Sequence, residues 1–482
     1  MVQSMFPKSS TKRALSSPTV MRNAKKPHLA TAAMAGVRDV LGEGRWKSWP
    51  APAQDLKAAR VFMKQCRRKD SSAGLRLPTI IVPDKDADGL SSGLILYRTL
   101  SALGLPPESI HVHFIAKGAS VFSTSERARL ECLAIAVSGG DLEGTPSEVR
   151  VIYVDQGSRG GPPLLQPLLD EGRIIVRTMV IDHHQSEDFP EGSQVLTACK
   201  SPPICTSSLL AYLMCYPLES SIPEACAWLA LLGIFGDLGP SEIKFGDSEG
   251  DWPVSEEMLR LGDTIRVVKK KALSDAVSLL NAPRRTPEFD VQSAWDALLS
   301  ADGPTTITNN RELRRLRFRI NEEVERCSRA APRFSKDGCV ALLRVDSQYQ
   351  VHPVVAIRWA SRLKGKDLKM IMVVNPSHHP DPNLVSFSCR IPASLRKVAE
   401  TAQPNLQQLL KGYAAKVDAG FLTRVGGDYA RGHKQATGGI IPSAEFELLV
   451  TKGMEIMAKS VRRVDGGPVD GQRKIKDFFS KG

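Results

Sequence analysis

The chain has 482 residues, 42% of them hydrophobic, and a net charge of +13; that is too long for one ordinary domain and apolar enough for sizeable cores. The charge sits mostly at the ends, since residues 1–38 carry +7, residues 461–482 carry +3 and residues 39–460 keep only +3, so charge alone does not establish a nucleic-acid substrate. No apolar run is long enough to span a bilayer, so a soluble chain with no membrane partner is expected, and the nine cysteines, scattered and never Cys-x-x-Cys, read as free thiols rather than disulfides or a zinc site.

Residues 1–50 are rich in Ser, Ala and basic residues with no sustained period, which reads as a disordered leader. Lys12-Arg13 and Lys25-Lys26 fit a loose bipartite nuclear-import signal. The same acid-free composition fits a mitochondrial presequence, so the nucleus is expected with the mitochondrion as the alternative.

Residues 51–260 read as an α/β catalytic domain, entered by a helix over 55–67. From about 78 to 240 apolar runs alternate with helical stretches such as Ser91–Ser101 and Ser207–Cys215, the pattern of a parallel sheet. Four of these runs, each read as a strand, end on acid. Thr79–Val82 leads into Asp84-Lys85-Asp86-Ala87-Asp88-Gly89, and Val151–Val154 into Asp155-Gln156-Gly157. Ile174–Ile181 leads into Asp182-His183-His184-Gln185, and Leu231–Gly236 into Asp237-Leu238-Gly239. Such a sheet places ligands at its carboxyl edge. A single Asp at a strand end is ordinary turn chemistry; four in succession point to one site.

Carboxylates with one or two imidazoles suit Mn²⁺ or Mg²⁺, whereas zinc sites recruit Cys or more His. Without metal the converging acids would repel one another and their pKa values would rise. Two divalent ions about 4 Å apart would neutralise them, activate a water and offset charge on a phosphoryl oxygen.

Residues 261–335 read as a helical connector, with a charged amphipathic helix over 305–330 whose arginines fit a solvated face better than a DNA groove. A smaller α/β domain follows over 336–460. Its expected strands are Cys339–Val345, Val354–Ile357, Met370–Val374 and Leu384–Cys389, and its closing helix Ser443–Ser460. A cleft between the two domains is the expected active site.

The order and wording of the acidic motifs over residues 75–240 resemble the DHH phosphoesterase superfamily. Within it they are similar to the branch that holds the RecJ exonucleases and the nanoRNase/pAp phosphatases. Gly432-His433-Lys434-Gln435-Ala436-Thr437-Gly438-Gly439 resembles the Gly-Gly-His-x-x-Ala-Ala-Gly loop of that branch's C-terminal substrate domain, with Arg431 in place of the first glycine and Thr437 in place of the second alanine. The resemblance implies metal ligation by Asp86, Asp88, Asp155, His183 and Asp237, with Asp155 as the bridge and Asp84 as a further ligand. It implies that Asp182 orients an imidazole and that His184 faces the substrate phosphate. Ser388, Arg390, Gly432, His433 and Gly438 would hold the scissile or terminal phosphate, a guanidinium and glycine-exposed N–H groups being suited to it.

Residues 461–482 read as a disordered tail. Within it Gln472-Arg473-Lys474-Ile475-Lys476-Asp477-Phe478-Phe479 projects Ile475, Phe478 and Phe479 from one helical turn as an apolar plug. It resembles the PCNA-interacting peptide box of replication and repair proteins, with Gln472 as its polar anchor. Together the resemblances imply a Mn²⁺/Mg²⁺-dependent, RecJ-like exonuclease on single-stranded nucleic acid, DNA rather than RNA, tethered to the PCNA sliding clamp. A nanoRNase/pAp-phosphatase-like hydrolase of short oligonucleotides, a catalytically inactive DHH scaffold and a polyphosphate or pyrophosphate hydrolase remain as alternatives.

Overall fold

A computed structural model describes residues 48–67, 77–138, 147–203, 205–240, 252–253 and 255–456. The clamp-like peptide and nearly all of the leader lie outside the described residues. The chain is α/β. It begins with helix α1 (Ala53–Cys66), strand β1 (Thr79–Pro83), α2 (Ala87–Ala102), β2 (Ile110–Val112), α3 (Thr124–Val137), β3 (Ser147–Val154), the short β4 (Leu168–Leu169), β5 (Ile174–Asp182) and β6 (Gln194–Thr197). These strands form one sheet in the order β2-β1-β3-β5-β4, with β6 also pairing β5. All pairings are parallel except β4 with β5.

Both faces of this sheet are covered, which is why its strands are apolar throughout rather than alternating. Ile80, Val82, Val149, Val151, Tyr153 and Val180 point into the core under α3. Ile81, Ile152, Val154, Met179 and Ile181 point into the larger core on the other side. That core is closed by α1, α2, α4 (Ser207–Cys215), α5 (Ile222–Asp237), α6 (Glu256–Val268), α7 (Lys270–Leu280) and α8 (Val291–Leu299). Leu261, Leu273, Leu280 and Trp295, from the stretch expected to link two domains, sit in that same core.

Two of the expected strands are helices. Leu231–Gly236 lies in α5, whose Cys226 to Phe235 are all buried, with Gly236 the first exposed residue beyond them. A helix packed on every side has no polar face, so its apolar run cannot be told from a buried strand by pattern alone. The expected helix over 305–330 is broken into α9 (Pro304–Asn309) and α10 (Arg311–Cys327). Asn310 leaves the helical path at φ −66°, ψ 117° and caps α10 by accepting from Leu313 N.

The second sheet runs β11-β12-β10-β9-β8-β7. It is built from β7 (Arg333–Phe334), β8 (Val340–Arg344), β9 (Met370–Asn375), β10 (Leu384–Arg390), β11 (Arg431–His433) and β12 (Ala436–Pro442). Val354–Ile357, the other expected strand, lies in α11 (His352–Arg362), where Val355 and Ala356 pack against one face of this sheet. On the opposite face lie α12 (Leu406–Val417), α13 (Phe421–Val425) and α14 (Ser443–Leu448). α14 passes into a wider turn over Leu449–Gly453 rather than continuing regularly toward Ser460. α10 belongs to both halves: Leu313 lies in the first core, and Leu316, Ile320, Val324 and Cys327 lie in the second half's.

Candidate metal and phosphate site

The carboxyl ends of β1, β3 and β5 deliver their acids side by side, as adjacent parallel strands must. Asp86 leaves β1 and caps α2, accepting from Asp88 N (3.1 Å) and Gly89 N (3.3 Å). Gly89 is required here, because a Cβ would stand 2.5 Å from Asp84 O.

Asp88 is fully buried in the first turn of α2 and faces the amino end of α4. Its Oδ2 accepts from Ser207 N at 2.8 Å and its Oδ1 from Ser208 N at 3.0 Å. Helix amino ends favour anions for this reason. α5 passes close behind: a Cβ on Gly233 would fall 2.0 Å from Asp88 Oδ1 and from Ser208 Oγ. Asp155 follows β3 with φ of 62°, a left-handed conformation that Asp tolerates and that turns its side chain into the cluster. Its Oδ1 accepts from Ser207 Oγ at 2.9 Å.

The two histidines do different things. Asp182 accepts from His183 N (2.7 Å), His184 N (3.2 Å), Ser158 N (3.2 Å) and His184 Nδ1 (2.8 Å). The imidazole it orients is thus His184, whose side chain is 53% exposed. His183 is buried and turns its Nε2 toward Asp237 Oδ2 (3.1 Å), Asp155 Oδ1 (3.4 Å) and Asp88 Oδ2 (3.9 Å). Asp88 is too far for a hydrogen bond and the other two lack the alignment one needs, so this nitrogen is a buried polar atom without a hydrogen-bond partner among the described residues.

The electrostatics are those of acids crowded without counter-charge. Burial, with Asp237 beside it, pushes Asp88 up to about 6. Burial and Asp88 push Asp155 well above the ordinary carboxylate value, and burial and Asp84 raise Asp86. Burial alone would raise Asp84, but the ammonium of Lys85, 2.9 Å away, outweighs it and holds the carboxyl low. Burial would likewise raise Asp182, and its bond to His184 lowers it instead. Burial would lower both imidazoles. Asp155 and Asp237 hold His183 well above its ordinary value, and Asp182 brings His184 to about 9.

Three sets of ligand atoms each lie within 4.8 Å of one another: Asp88, His183 and Asp237; Asp155, His183 and His184; Asp84, Asp86 and Asp155. Asp155 and His183 are each shared by two sets. Oxygen-rich ligands with an imidazole, repelling acids and an orphaned ring nitrogen together fit hard divalent cations.

Ser388, Arg390, Gly432 and Gly438 come together on β10, β12 and β11. The expected loop is a hairpin, in which Ser388 pairs with Gly438 and Arg390 with Ala436. Gly438 is needed because a Cβ would meet Phe387 O at 2.5 Å; Gly432 takes φ of 111° for the turn of the strand. Thr437 pins the hairpin by donating from Oγ1 to Arg431 O at 2.7 Å, which an alanine could not do. Arg390 donates from one nitrogen to Ser388 Oγ and to Cys389 O, both at 2.8 Å. His433 is on β11, and its side chain is not among those described.

Two arginines that sequence patterning did not single out join the halves. Arg284 donates to Asn281 Oδ1 (2.9 Å) and Gln350 Oε1 (2.9 Å) and stands 3.8 Å from Asp86 Oδ2. Burial, with the charges of Arg284, Arg317 and Arg390 and despite the pull of Asp86, lowers Arg285 to about 9. Ser207 and Ser208 were missed as well; the Thr206-Ser207-Ser208 run that opens a helix signals a cap and not a site.

Residues 78–234 match the family described as DHH family, N-terminal domain, so this stretch carries a DHH domain. No curated protein matches the chain. The fold is similar to RecJ in complex with Mn²⁺ from Thermus thermophilus, at TM-score 0.53 and 18% identity over 85% of this chain. The chain spans 55% of that structure. It is similar to exonuclease RecJ bound to manganese at TM-score 0.50 and 18% identity, covering 84% of this chain and 94% of that one. It is also similar to the DHH domain of a member of the s1p family of ribosomal proteins, at TM-score 0.55 and 13% identity, covering 89% of this chain and all of that one (100%). At these identities the likeness is one of fold.

Proposed function

We propose that this chain is a divalent-metal-dependent phosphodiesterase of RecJ type that removes nucleotides from an end of single-stranded DNA. The observation that carries this reading is the His183 Nε2, buried among the oxygens of Asp88, Asp155 and Asp237 without a hydrogen bond. Asp84, Asp86, Asp88, Asp155, His183 and Asp237 would hold two ions, Mn²⁺ in preference to Mg²⁺. Bound there, such ions lower the pKa of a water and offset charge on the phosphoryl oxygens.

The chain's own residues do the rest. Ser207 and Ser208 fix the carboxylates of Asp155 and Asp88. Arg284 and Arg285 offer positive charge to the substrate phosphate from the side facing Asp86, Arg390 adds to theirs, and Ser388, Gly432, His433 and Gly438 shape its seat. His184, held at Nδ1 by Asp182, keeps Nε2 for the phosphate. A water gives one proton to bulk solvent as its oxygen attacks phosphorus in line, the P–O bond to the leaving nucleotide breaks, and His184 gives the leaving oxygen its proton.

The tail peptide Gln472, Ile475, Phe478 and Phe479 would tether the enzyme to PCNA, which puts its work in replication or repair in the nucleus. The test is digestion of end-labelled single strands from dinucleotides upward with Mn²⁺. Stepwise loss from one end of long DNA, absent in Asp155→Ala, is expected; cleavage of the shortest oligomers alone would replace this reading with a short-oligonucleotide hydrolase. Phe478→Ala with Phe479→Ala should abolish PCNA binding and leave free strands hydrolysed as before.

A further inference from the structure

The amino-terminal half of α10 carries an exposed surface that the metal site does not use. Residues 311–319 hold five arginines against one glutamate. Glu312 takes Arg315, at 2.5 and 2.9 Å, and Arg319 turns to Glu288 and the Tyr349 hydroxyl. Arg314 donates only to a neutral carbonyl, Thr308 O at 2.6 Å. Arg311 and Arg317 form no ion pair with any described residue. Among the described residues, three guanidinium groups are thus left without a carboxylate.

Phe318 lies among them and is 62% exposed. The apolar stripe Leu313, Leu316, Ile320, Val324 and Cys327 faces inward, so Phe318 stands on the far side of the helix from it. At helical spacing Arg314 neighbours Phe318 (i, i+4), Arg317 (i, i+3) and Arg311 (i−3). An aromatic ring that large, held in water by a helix whose other apolar residues are buried, contributes nothing to the core.

The inward flank of the helix leads to the site. Arg319 meets the Tyr349 hydroxyl at 2.8 Å, the next residue, Gln350, accepts from Arg284 at 2.9 Å, and Arg284 stands 3.8 Å from the Asp86 carboxylate. Arg317 adds its charge on the same flank, beside Arg285. Past Phe318 the helix carries Glu322, Glu323 and Glu325, of which Glu323 pairs with Arg326 and Glu325 with Arg358. The unpaired positive charge is thus concentrated at the amino-terminal end, where a polyanion is drawn.

We propose that this face of α10 is a secondary strand-binding platform, on which a base of single-stranded DNA stacks against Phe318 while Arg311 and Arg314 take the flanking phosphates and Arg317, round the helix, carries the strand back toward Arg285. It rests on the phosphodiesterase reading above and extends it from the reacting phosphate to the trailing strand. Positive side chains along the backbone with an aromatic face for a base are the elements of sequence-tolerant single-strand binding.

The test is fluorescence anisotropy of the full chain with a labelled strand of about 20 nucleotides, in EDTA so that nothing is cleaved. Phe318→Ala should weaken binding about tenfold and Phe318→Trp should restore it. Arg314→Gln should make the slope of log affinity against log salt shallower by about 0.7. With Mn²⁺, hydrolysis of a dinucleotide should be unchanged in both variants, while KM for the long strand rises. Wild-type affinity and salt slope in Phe318→Ala and Arg314→Gln overturn the proposal. So does a Phe318→Ala chain that binds DNA normally but loses self-association in sedimentation, which would make the ring a contact between copies. If wild type cleaves neither long strand nor dinucleotide, the catalytic reading fails, and the anisotropy still decides the platform.

Discussion

Asp237 ends α5 with its Oδ2 3.1 Å from His183 Nε2. A carboxylate on the last residue of a helix opposes the negative end of the helix dipole, at a cost of about 0.3–1 kcal/mol. Such a placement is stable only beside positive charge, which here is a protonated His183 or a cation. Asp237→Asn relieves the repulsion of Asp86 and Asp88 but forfeits the contact with His183, so it should leave the melting temperature of the metal-free protein nearly unchanged while reducing the gain on adding Mn²⁺. Paired melts with EDTA and with Mn²⁺ check this; an unchanged Mn²⁺ gain would remove Asp237 from the ligand set.

The crowding of acids gives a pH signature. Asp88 titrates at about 6 in the metal-free fold against 3.8 as the ordinary value. A carboxyl whose folded value is raised costs nothing while protonated in both states, and destabilises the fold increasingly as pH climbs from 3.8 through 6. His183, raised by its carboxylate neighbours, acts in the same direction, stabilising below 6.5 and less as pH rises further. Asp182 and Asp84, held low, add stability that is lost only as pH falls below 3.8. Metal-free stability should thus decline between about pH 4 and 7, and the Mn²⁺-induced rise in melting temperature should grow over the same interval. Denaturant titrations at several pH values, with and without Mn²⁺, measure both.

Gly233 tests the packing behind the site. Its missing Cβ leaves room for Asp88 Oδ1 and Ser208 Oγ, each 2.0 Å from where that atom would stand. Gly233→Ala gains helix propensity but must push α5 off the carboxylate, and a net loss of about 1–3 kcal/mol is expected from overpacking. A midpoint of urea unfolding equal to wild type would mean that α5 and α4 are not so closely set.

Ser207 supplies one donor to Asp155 through Oγ and one to Asp88 through its backbone N–H. Ser207→Ala removes only the first. The fold should survive, since the α4 cap by Thr206 is untouched. The Mn²⁺ concentration for half-maximal activity should rise about tenfold, the consequence of a buried carboxylate losing a partner worth about 1–2 kcal/mol. Isothermal titration with Mn²⁺ separates this from a loss of turnover.

Most of the acidic cluster was legible because Asp84, Asp155 and Asp182 stand at the ends of strands whose apolar runs are short, β-rich and bounded by turn residues. Asp237 was reached for a partly mistaken reason. Its position at the end of an apolar run was right, but the run is a helix, and a helix sheathed in other helices shows no amphipathic period. Val354–Ile357 was misread for another reason: four apolar residues are too short a run to show a period, although α11 is one-sided, with Val355 and Ala356 buried and Ile357 exposed. Ser207, Ser208, Arg284 and Arg285 were not legible at all. Nothing in their local sequence distinguishes them from a helix cap and a solvated basic pair; only the approach of α4 to Asp88, and of the Pro283–Arg285 turn to Asp86, gives them a task.

α10 has a mechanical consequence. A helix of 17 residues is a rod of about 25 Å, and this one is rooted by Leu313 in one core and by Leu316 to Cys327 in the other. Melting either core would unseat one end of the rod and strip apolar contacts from its neighbour. The two halves therefore share a fate in unfolding, and damage far from the carboxylates is felt as a change in the spacing between the acids on one side and Arg390 on the other. A proline in the middle of α10 would cut that link, leaving two sheets that could each still fold yet no longer hold a common register.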